Sequence, residues 1–236
     1  MTSTDDRLEP IIREHFETQA DSATFPVDIA EDAFELQAIG DWLKDVRGMR
    51  LLDVGCAKGR FVRALAARGA DIVGIDPTWG MLGAARRAGG SYVQSSATGL
   101  PFASGTFDGA ICIEVIEHIP DIDRALAEIA RVLKPGGRAI LIDKNPAGIG
   151  YHRFSPNWLH KWNAERNGRW FYPSAFPFRE RWHSARSLAR RLERAFSTTQ
   201  VIYLAGRVRG SRGRLLGPLF RFWPSIRPDI AWRCIK

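Results

Sequence analysis

Glu114, Glu117 and His118 stand within the stretch CIEVIEHIP, Cys112 to Pro120. Two carboxylates and an imidazole at i, i+3 and i+4 share one face if the chain turns helical here. Three kinds of chemistry fit such a trio. As a polar helix end, the side chains would only hydrogen-bond one another and the backbone. As an acid–base site, His118 would serve as general base or as donor to a substrate, since an unperturbed imidazole titrates near about pH 6.5. As a metal site, the carboxylates and imidazole would suit a magnesium-like Mg2+ ion. A further ligand would then have to come from beyond the fifth strand. His152, His160 and His183 are available there, none of them in a recognisable motif.

A second constellation lies upstream. LLDVGCAKGRF, residues 51–61, reads as a buried strand running into a small-residue turn and then a helix. Gly55 and Gly59 allow a sharp turn and a close approach of backbone to a ligand. The dinucleotide fingerprint G-x-G-x-x-G fails twice when counted from Gly55, at Ala57 and Arg60. What remains is Asp53-x-Gly55-x-Ala57-x-Gly59, followed by a second strand that ends at Asp76, where a carboxylate could accept from both hydroxyls of a ribose. An alanine at position 57 of this turn is tolerable if its φ is negative.

These residues need a frame to bring them together. From Arg50 to Asp143, short apolar runs alternate with helical periods: RLLDV, DIVGID, SYVQ, FDGAICI and RAILID as strands, RFVRALAARG, MLGAARRAGG and DIDRALAEIARVL as helices. In the last helix Asp121 is the expected cap, Ile122, Leu126, Ile129 and Leu133 line one face, and Pro135–Gly136 stop it. Strands alternating with helices imply an α/β fold with a parallel sheet covered on both faces. In such sheets ligands bind outside the carboxyl ends of the strands, near the switch point. TTQVIYLAG and IAWRCIK, near the end of the chain, read as two further strands.

In order and spacing, LLDVGCAKGRF, VGID, LPFASGTFDGAICIEVIEH and LKPGGRAILI resemble the class I S-adenosylmethionine-dependent methyltransferases. The resemblance covers roughly residues 45–143 and is nearest to the small-molecule subgroup that includes the polyprenyl-phenol O-methyltransferases. It implies a Rossmann-like seven-stranded sheet of order 3-2-1-4-5-7-6, last strand antiparallel, with helices on both faces. It implies S-adenosyl-L-methionine as cofactor, with Asp53, Gly55, Cys56 and Gly59 around its methionine part and Asp76 on the ribose. Ser96, Ala97 and Thr98 approach the adenine, with Ser96 where an Asp is common, and Glu114 backs the sulfonium. His118 is the candidate catalytic residue. The spacing of Glu114, Glu117 and His118 also resembles that of relatives in which two carboxylates and an imidazole hold a magnesium-like ion.

The chain's 236 residues, 45% hydrophobic, can bury a sizeable core. Its polar, acidic start implies no secretory leader, and three widely spaced cysteines suit a reducing cytoplasm. The net charge of +8 hides an asymmetry: residues 151–236 hold 18 Lys and Arg against 4 Asp and Glu, and six of the 8 tryptophans. We expect one methyltransferase domain, with residues 1–45 as an N-terminal lid, 46–143 as the cofactor-binding core, and 144–236 as a basic aromatic substrate region carrying the last two strands. Tyr151, Trp158, Trp162, Phe171 and Tyr172 are candidates to face an aromatic or lipid acceptor. Leu215, Leu216, Leu219, Phe220 and Trp223 read as one apolar face among Arg212, Arg214, Arg221 and Arg227, a composition suited to the anionic inner face of a membrane, with Gly217–Pro218 breaking any helix. The expected activity is O-methylation of a small molecule or lipid precursor. Methylation of nucleic acid and cofactor binding without turnover are the alternatives.

Overall fold

The computed structural model describes residues 4–149, 155–173, 175–206 and 210–236. Seven strands form one sheet in the order β3-β2-β1-β4-β5-β7-β6. They are β1 (Arg50–Val54), β2 (Asp71–Asp76), β3 (Ser91–Gln94), β4 (Phe107–Ile113), β5 (Leu133–Lys144), β6 (Thr198–Leu204) and β7 (Asp229–Ile235). β1 to β5 pair in parallel, whereas β7 runs antiparallel to both β5 and β6. The expected sheet order and antiparallel last strand are both present.

Both faces are covered because the strands alternate two apolar sets. Leu52, Val54, Cys112 and Leu141 meet α5 (Ile122–Val132) and α7 (Ala185–Leu192). Leu51, Ile111, Ile113, Ile140 and Ile142 meet α2 (Phe34–Leu43), α3 (Arg60–Ala66) and α4 (Trp79–Arg87). Such strands read as continuous apolar runs because neither face sees water. α5 starts as the sequence predicts: Asp121 Oδ1 accepts from the Arg124 amide at 3.1 Å, a cap that contributes about 1 kcal/mol. Trp232, fully buried in β7, donates its indole N–H to the Ala185 carbonyl at 3.0 Å and so ties the last strand to α7.

Two expectations for the basic half are corrected. α8 (Gly210–Phe222) continues through Pro218. Proline there removes one helical donor, but Leu216 and Phe220, a turn apart, are buried and hold the segment against the fold. That same burial divides the expected apolar stripe. Leu216 and Phe220 point inward, while Leu219, Phe222 and Trp223 are exposed. The side chains of Arg212, Arg214 and Leu215 lie outside the described residues, as do Tyr151 and His152. Among the described residues no helix is long and apolar enough to cross a membrane.

The sheet order places the switch point between β1 and β4, where the chain has left β1 for β2 and β3 and returned on the other side. The carboxyl ends of β1, β2, β4 and β5 therefore converge on one crevice. α1 (Thr4–Thr18) lies across it.

Candidate active site

The turn after β1 is built for close approach. Gly55 has φ +72, and a Cβ there would sit 2.4 Å from a Val115 methyl. Ala57 adopts φ +46, not the negative value expected from its side chain. A left-handed alanine carries backbone strain of order 1–3 kcal/mol, held here because the Ala57 amide donates to Asp76 Oδ2 at 2.9 Å. Cys56 is buried, its sulfur packed over Gly74. Gly59 caps α3 at φ +76, where any Cβ would strike the Tyr92 ring. It lines neither of the two cavities described below, so its left-handed turn serves packing.

Asp53 lies beneath this turn, 1% exposed. Burial pushes its carboxyl up to about 7, with Asp76 adding and Arg60 opposing. Its Oδ2 is buried without a hydrogen-bond partner among the described residues. At the end of β2, Asp76 Oδ1 accepts from the Thr78 amide at 3.0 Å and from the Thr78 hydroxyl. These bonds restrain a carboxyl that burial pushes up. Each oxygen keeps acceptor capacity, since a carboxylate offers about four lone-pair sites.

Two cavities open here, of about 120 and 280 Å³. The first runs past Ile75, Asp76, Met81, Ser96 and Ala97 under α1, which contributes Glu9, Ile12, Arg13 and Phe16. The second runs past Cys56, Lys58, Phe61, Lys144, Phe171 and Glu180. They share Phe25, Gly55, Ala57, Glu114 and His118. Thr98 is buried, lines neither cavity, and donates to Glu9 Oε2 at 3.1 Å. α1 is also clamped by Glu17, which accepts from the amides of Trp79 (2.6 Å) and Gly80 (2.8 Å) at the start of α4.

Glu114, Glu117 and His118 do not share a helical face. Glu114 sits at φ +58 before a single 3-10 turn, Ile116–His118. The turn aims His118 at both cavities and buries Glu117 completely. His118 Nδ1 lies 3.0 Å from the Tyr172 hydroxyl, and Nε2 lies 3.7 Å from Glu117 and 4.0 Å from Glu180. Burial lowers the imidazole pKa below its usual 6.5; Glu117 and Glu180 oppose the shift and Lys144 adds to it. Glu180 is itself oriented by the indoles of Trp170 (2.9 Å) and Trp182 (3.1 Å). Tyr172 keeps its proton, because burial and the two glutamates raise its pKa well above the ordinary value.

Lys144, the last residue of β5, was not singled out by sequence. Its ammonium lies 2.5 Å from Glu117, 3.5 Å from Glu114 and 3.8 Å from Asp143. Among the described residues no three His, Cys, Asp or Glu side chains converge on a cation site. His160 packs on Trp170, and His183 lines neither cavity. Phe16, Phe25 and Glu180 were also missed, since their place at the site follows from long-range packing. Lys144 did leave a signal: a charge at the carboxyl end of a buried parallel strand points into the crevice. Of the acceptor-facing aromatics expected, Phe171 lines the second cavity and Tyr172 holds His118, while Trp158 and Trp162 are exposed and line neither.

The residues fit S-adenosylmethionine: Gly55 and Ala57 in the turn after β1 and an acid at the end of β2 line one crevice, with the orphaned Asp53 carboxylate buried beneath that turn and lining neither cavity. The sheet order, with its antiparallel last strand, is that of the Rossmann-like methyltransferase fold. Residues 52–141 match the family model described as a methyltransferase domain. An uncharacterized methyltransferase of Mycobacterium sp. (strain JLS) is 46% identical over 96 residues, 40% of this chain and 38% of that protein. The ubiquinone biosynthesis O-methyltransferase of Aeromonas salmonicida is 36% identical over 119 residues, 45% of this chain and 50% of that protein. The matches thus span half or less of these relatives' length. A SAM-dependent methyltransferase structure from Thermotoga maritima superposes with a TM-score of 0.68 at 22% identity, covering 94% of this chain and 99% of the other.

Proposed function

We propose that this chain transfers a methyl group from S-adenosylmethionine to a hydroxyl oxygen of a small molecule or lipid precursor. The observation that carries the reading is the position of His118, in the wall shared by the two cavities and anchored from behind by Tyr172. The first cavity takes the adenosine side, with Asp76 at the ribose and Ser96 and Ala97 at the adenine. Gly55, Ala57 and Glu114 flank the reacting centre, and the second cavity takes the acceptor under Phe25, Phe61 and Phe171. When bound, the cofactor supplies an activated methyl group whose carbon–sulfur bond breaks as the acceptor oxygen attacks.

The residues of this chain do the rest. With Nδ1–H donated to the Tyr172 oxygen, neutral His118 keeps its lone pair on Nε2, the ring edge that also faces Glu117 and Glu180. A neutral imidazole at neutral pH can take the hydroxyl proton there. The Glu117 and Glu180 carboxylates then stabilise the imidazolium. Phe16, Phe25 and Phe171 exclude water, and α1 with residues 155–173 and 175–183 forms the lid. Proximity in such a site supplies roughly 7–11 kcal/mol of the barrier.

A second reading adds a place of work: peripheral contact with an anionic membrane. Leu219, Phe222 and Trp223 are exposed beside Arg221, and the exposed Trp158 and Trp162 lie on α6 (Asn157–Arg166). Asn157 of α6 donates to the Pro228 carbonyl, six residues beyond the end of α8. The excess of basic residues after position 150 complements an anionic leaflet. Salt-sensitive sedimentation with anionic vesicles, lost in Phe222→Asp/Trp223→Asp, is the expected result. Oligonucleotide binding without vesicle binding would contradict it.

The test of the main reading uses methyl-labelled S-adenosylmethionine with a panel of phenols, alcohols and amines. Label should reach a phenol or alcohol, and His118→Gln should lower the rate by about 10²–10⁴-fold. Cofactor binding without label transfer to any acceptor, or label on amines alone, would contradict it.

A further inference from the structure

The resemblance that points to this fold also points to a divalent cation between Glu114, Glu117 and His118. The side chains disagree. A cation is already built into that place: the Lys144 ammonium, 2.5 Å from Glu117 and 3.5 Å from Glu114. We propose that Lys144 is the fixed cation of the acceptor site, standing where a divalent ion would otherwise bind, so that the carboxylates hold an ammonium and the protein needs no metal for this site. This rests on the reading of the second cavity as the acceptor pocket.

Three observations carry the assignment. The first is geometric. Lys144 is the terminal residue of β5, and its side chain, only 14% exposed, lines the second cavity beside Glu114 and His118. The second is the charge balance. Burial raises the Asp143 carboxyl well above its usual range, and the neighbouring Glu117 adds to this. Burial also pushes Glu117 up, but Lys144, His118 and the bond to Asp143 more than reverse it, leaving Glu117 well below the usual range. Lys144 is the cation nearest Glu117, with Glu114 and Asp143 also within 4 Å of its ammonium. The Glu117 carboxylate is matched by one ammonium at 2.5 Å, and a divalent ion in addition would place two cations within a few ångströms.

The third is His118. Its nitrogens meet Tyr172 on one side and carboxylates on the other, an arrangement that orients a base. An ammonium at this spot does part of what a divalent ion does. It attracts an oxygen on which negative charge develops and donates hydrogen bonds to it. It is a single charge that cannot chelate two oxygens in a fixed octahedral geometry, so an acceptor with one hydroxyl should serve as well as one with two adjacent hydroxyls.

Mn2+ binding, followed by the loss of the free-ion electron paramagnetic resonance signal, tests this on the whole chain and needs no methyl transfer. The wild-type protein should leave Mn2+ free. Lys144→Gln, which keeps volume and a donor but removes the charge, should bind one Mn2+ at least tenfold more tightly than wild type. The added substitution Glu117→Gln should abolish that gain. Lys144→Ala should behave in the same way, but it leaves Glu117 buried beside a void, so Lys144→Gln is the deciding variant. One Mn2+ bound by the wild type and lost in Glu117→Gln would overturn the proposal. So would a folded Lys144→Gln that binds no more Mn2+ than wild type, because the carboxylates would then be no cation site. If methyl transfer is found, a chelator should leave its rate unchanged, and a rate lost to chelator and restored by Mg2+ would overturn the proposal with the methyltransferase reading intact.

Discussion

His118 Nδ1 lies 3.0 Å from the Tyr172 hydroxyl, which joins the turn after β4 to a segment 54 residues further along the chain. The bond gives the basic half a part in the chemistry, because the residue that orients the proposed base comes from it. Tyr172→Phe should leave His118 in place but free to rotate. We expect kcat to fall about tenfold with KM little changed, against about 10²–10⁴-fold for His118→Gln. Steady-state kinetics on both variants checks this; equal losses, or a change in KM alone, would contradict it.

The pH profile follows from the same imidazole. Burial lowers the His118 pKa in the folded protein below 6.5, and in the proposed mechanism the neutral form is the active one. The rate should therefore stay on its plateau through pH 6.5 and fall only as pH drops through the lowered value. A kcat/KM profile whose acid limb is centred above 6.5 would contradict the assignment of His118 as base.

Asp53 sets function against stability. Its folded pKa is raised from 3.8 to about 7, so ionising it costs the folded state. That cost is absent below about pH 4, where the carboxyl is protonated folded and unfolded, and complete above about pH 7. Asp53→Asn should raise the melting temperature of the ligand-free protein at pH 8 and change it little at pH 4. The same substitution should weaken S-adenosylmethionine binding. Thermal scans at the two pH values, with calorimetric titration at pH 8, separate the effects; a lower melting temperature at pH 8 would contradict the account.

The turn after β1 offers an opposed pair. Ala57→Gly removes the penalty of an alanine at φ +46 and should stabilise the fold by about 1 kcal/mol. Gly55→Ala has a strained φ and nowhere to put its methyl beside Val115, so it should lose stability. Urea melts of the two variants should move in opposite directions.

Glu17 ties α1 to the start of α4 through two amide hydrogen bonds at a helix N-terminus, where an anion is favoured. A charged acceptor contributes about 1.5–3 kcal/mol per bond, so Glu17→Ala should free α1 and weaken cofactor binding by at least about tenfold. Hydrogen exchange at Ile12 and Phe16 should accelerate in the variant. Unchanged exchange would show that α1 is held by other contacts.

The sheet was legible because its signals are local and repeated. Buried parallel strands read as apolar runs, and the cap at Asp121 marks its own position; the expected stop at Pro135–Gly136 is corrected, since α5 ends at Val132 and Leu133, extended, already opens β5. The order β5-β7-β6 followed from resemblance alone, since nothing in TTQVIYLAG or IAWRCIK states which strand each will join. The crevice was half legible: Asp53, Gly55 and Asp76 lie at strand ends, where chain order fixes their place. Three features were not. Ala57 and Glu114 are left-handed because neighbours hold them so, which no side-chain type announces. The trio read at i, i+3 and i+4 is broken by the strained Glu114 and a 3-10 turn. The split of the α8 stripe depends on which residues find a wall to pack against, and a proline in the pattern did not stop the helix that presents them.

Calorimetric titration with S-adenosylhomocysteine tests most directly that the crevice between β1 and β4 is the cofactor site. Ser96→Trp is the control, because Ser96 lines the first cavity from a partly exposed position and an indole there fills it without disturbing the core. The account predicts one site per chain in the wild type, at least tenfold weaker in Ser96→Trp at an unchanged melting temperature. No binding by the wild type, or equal affinity in the two proteins, would contradict it.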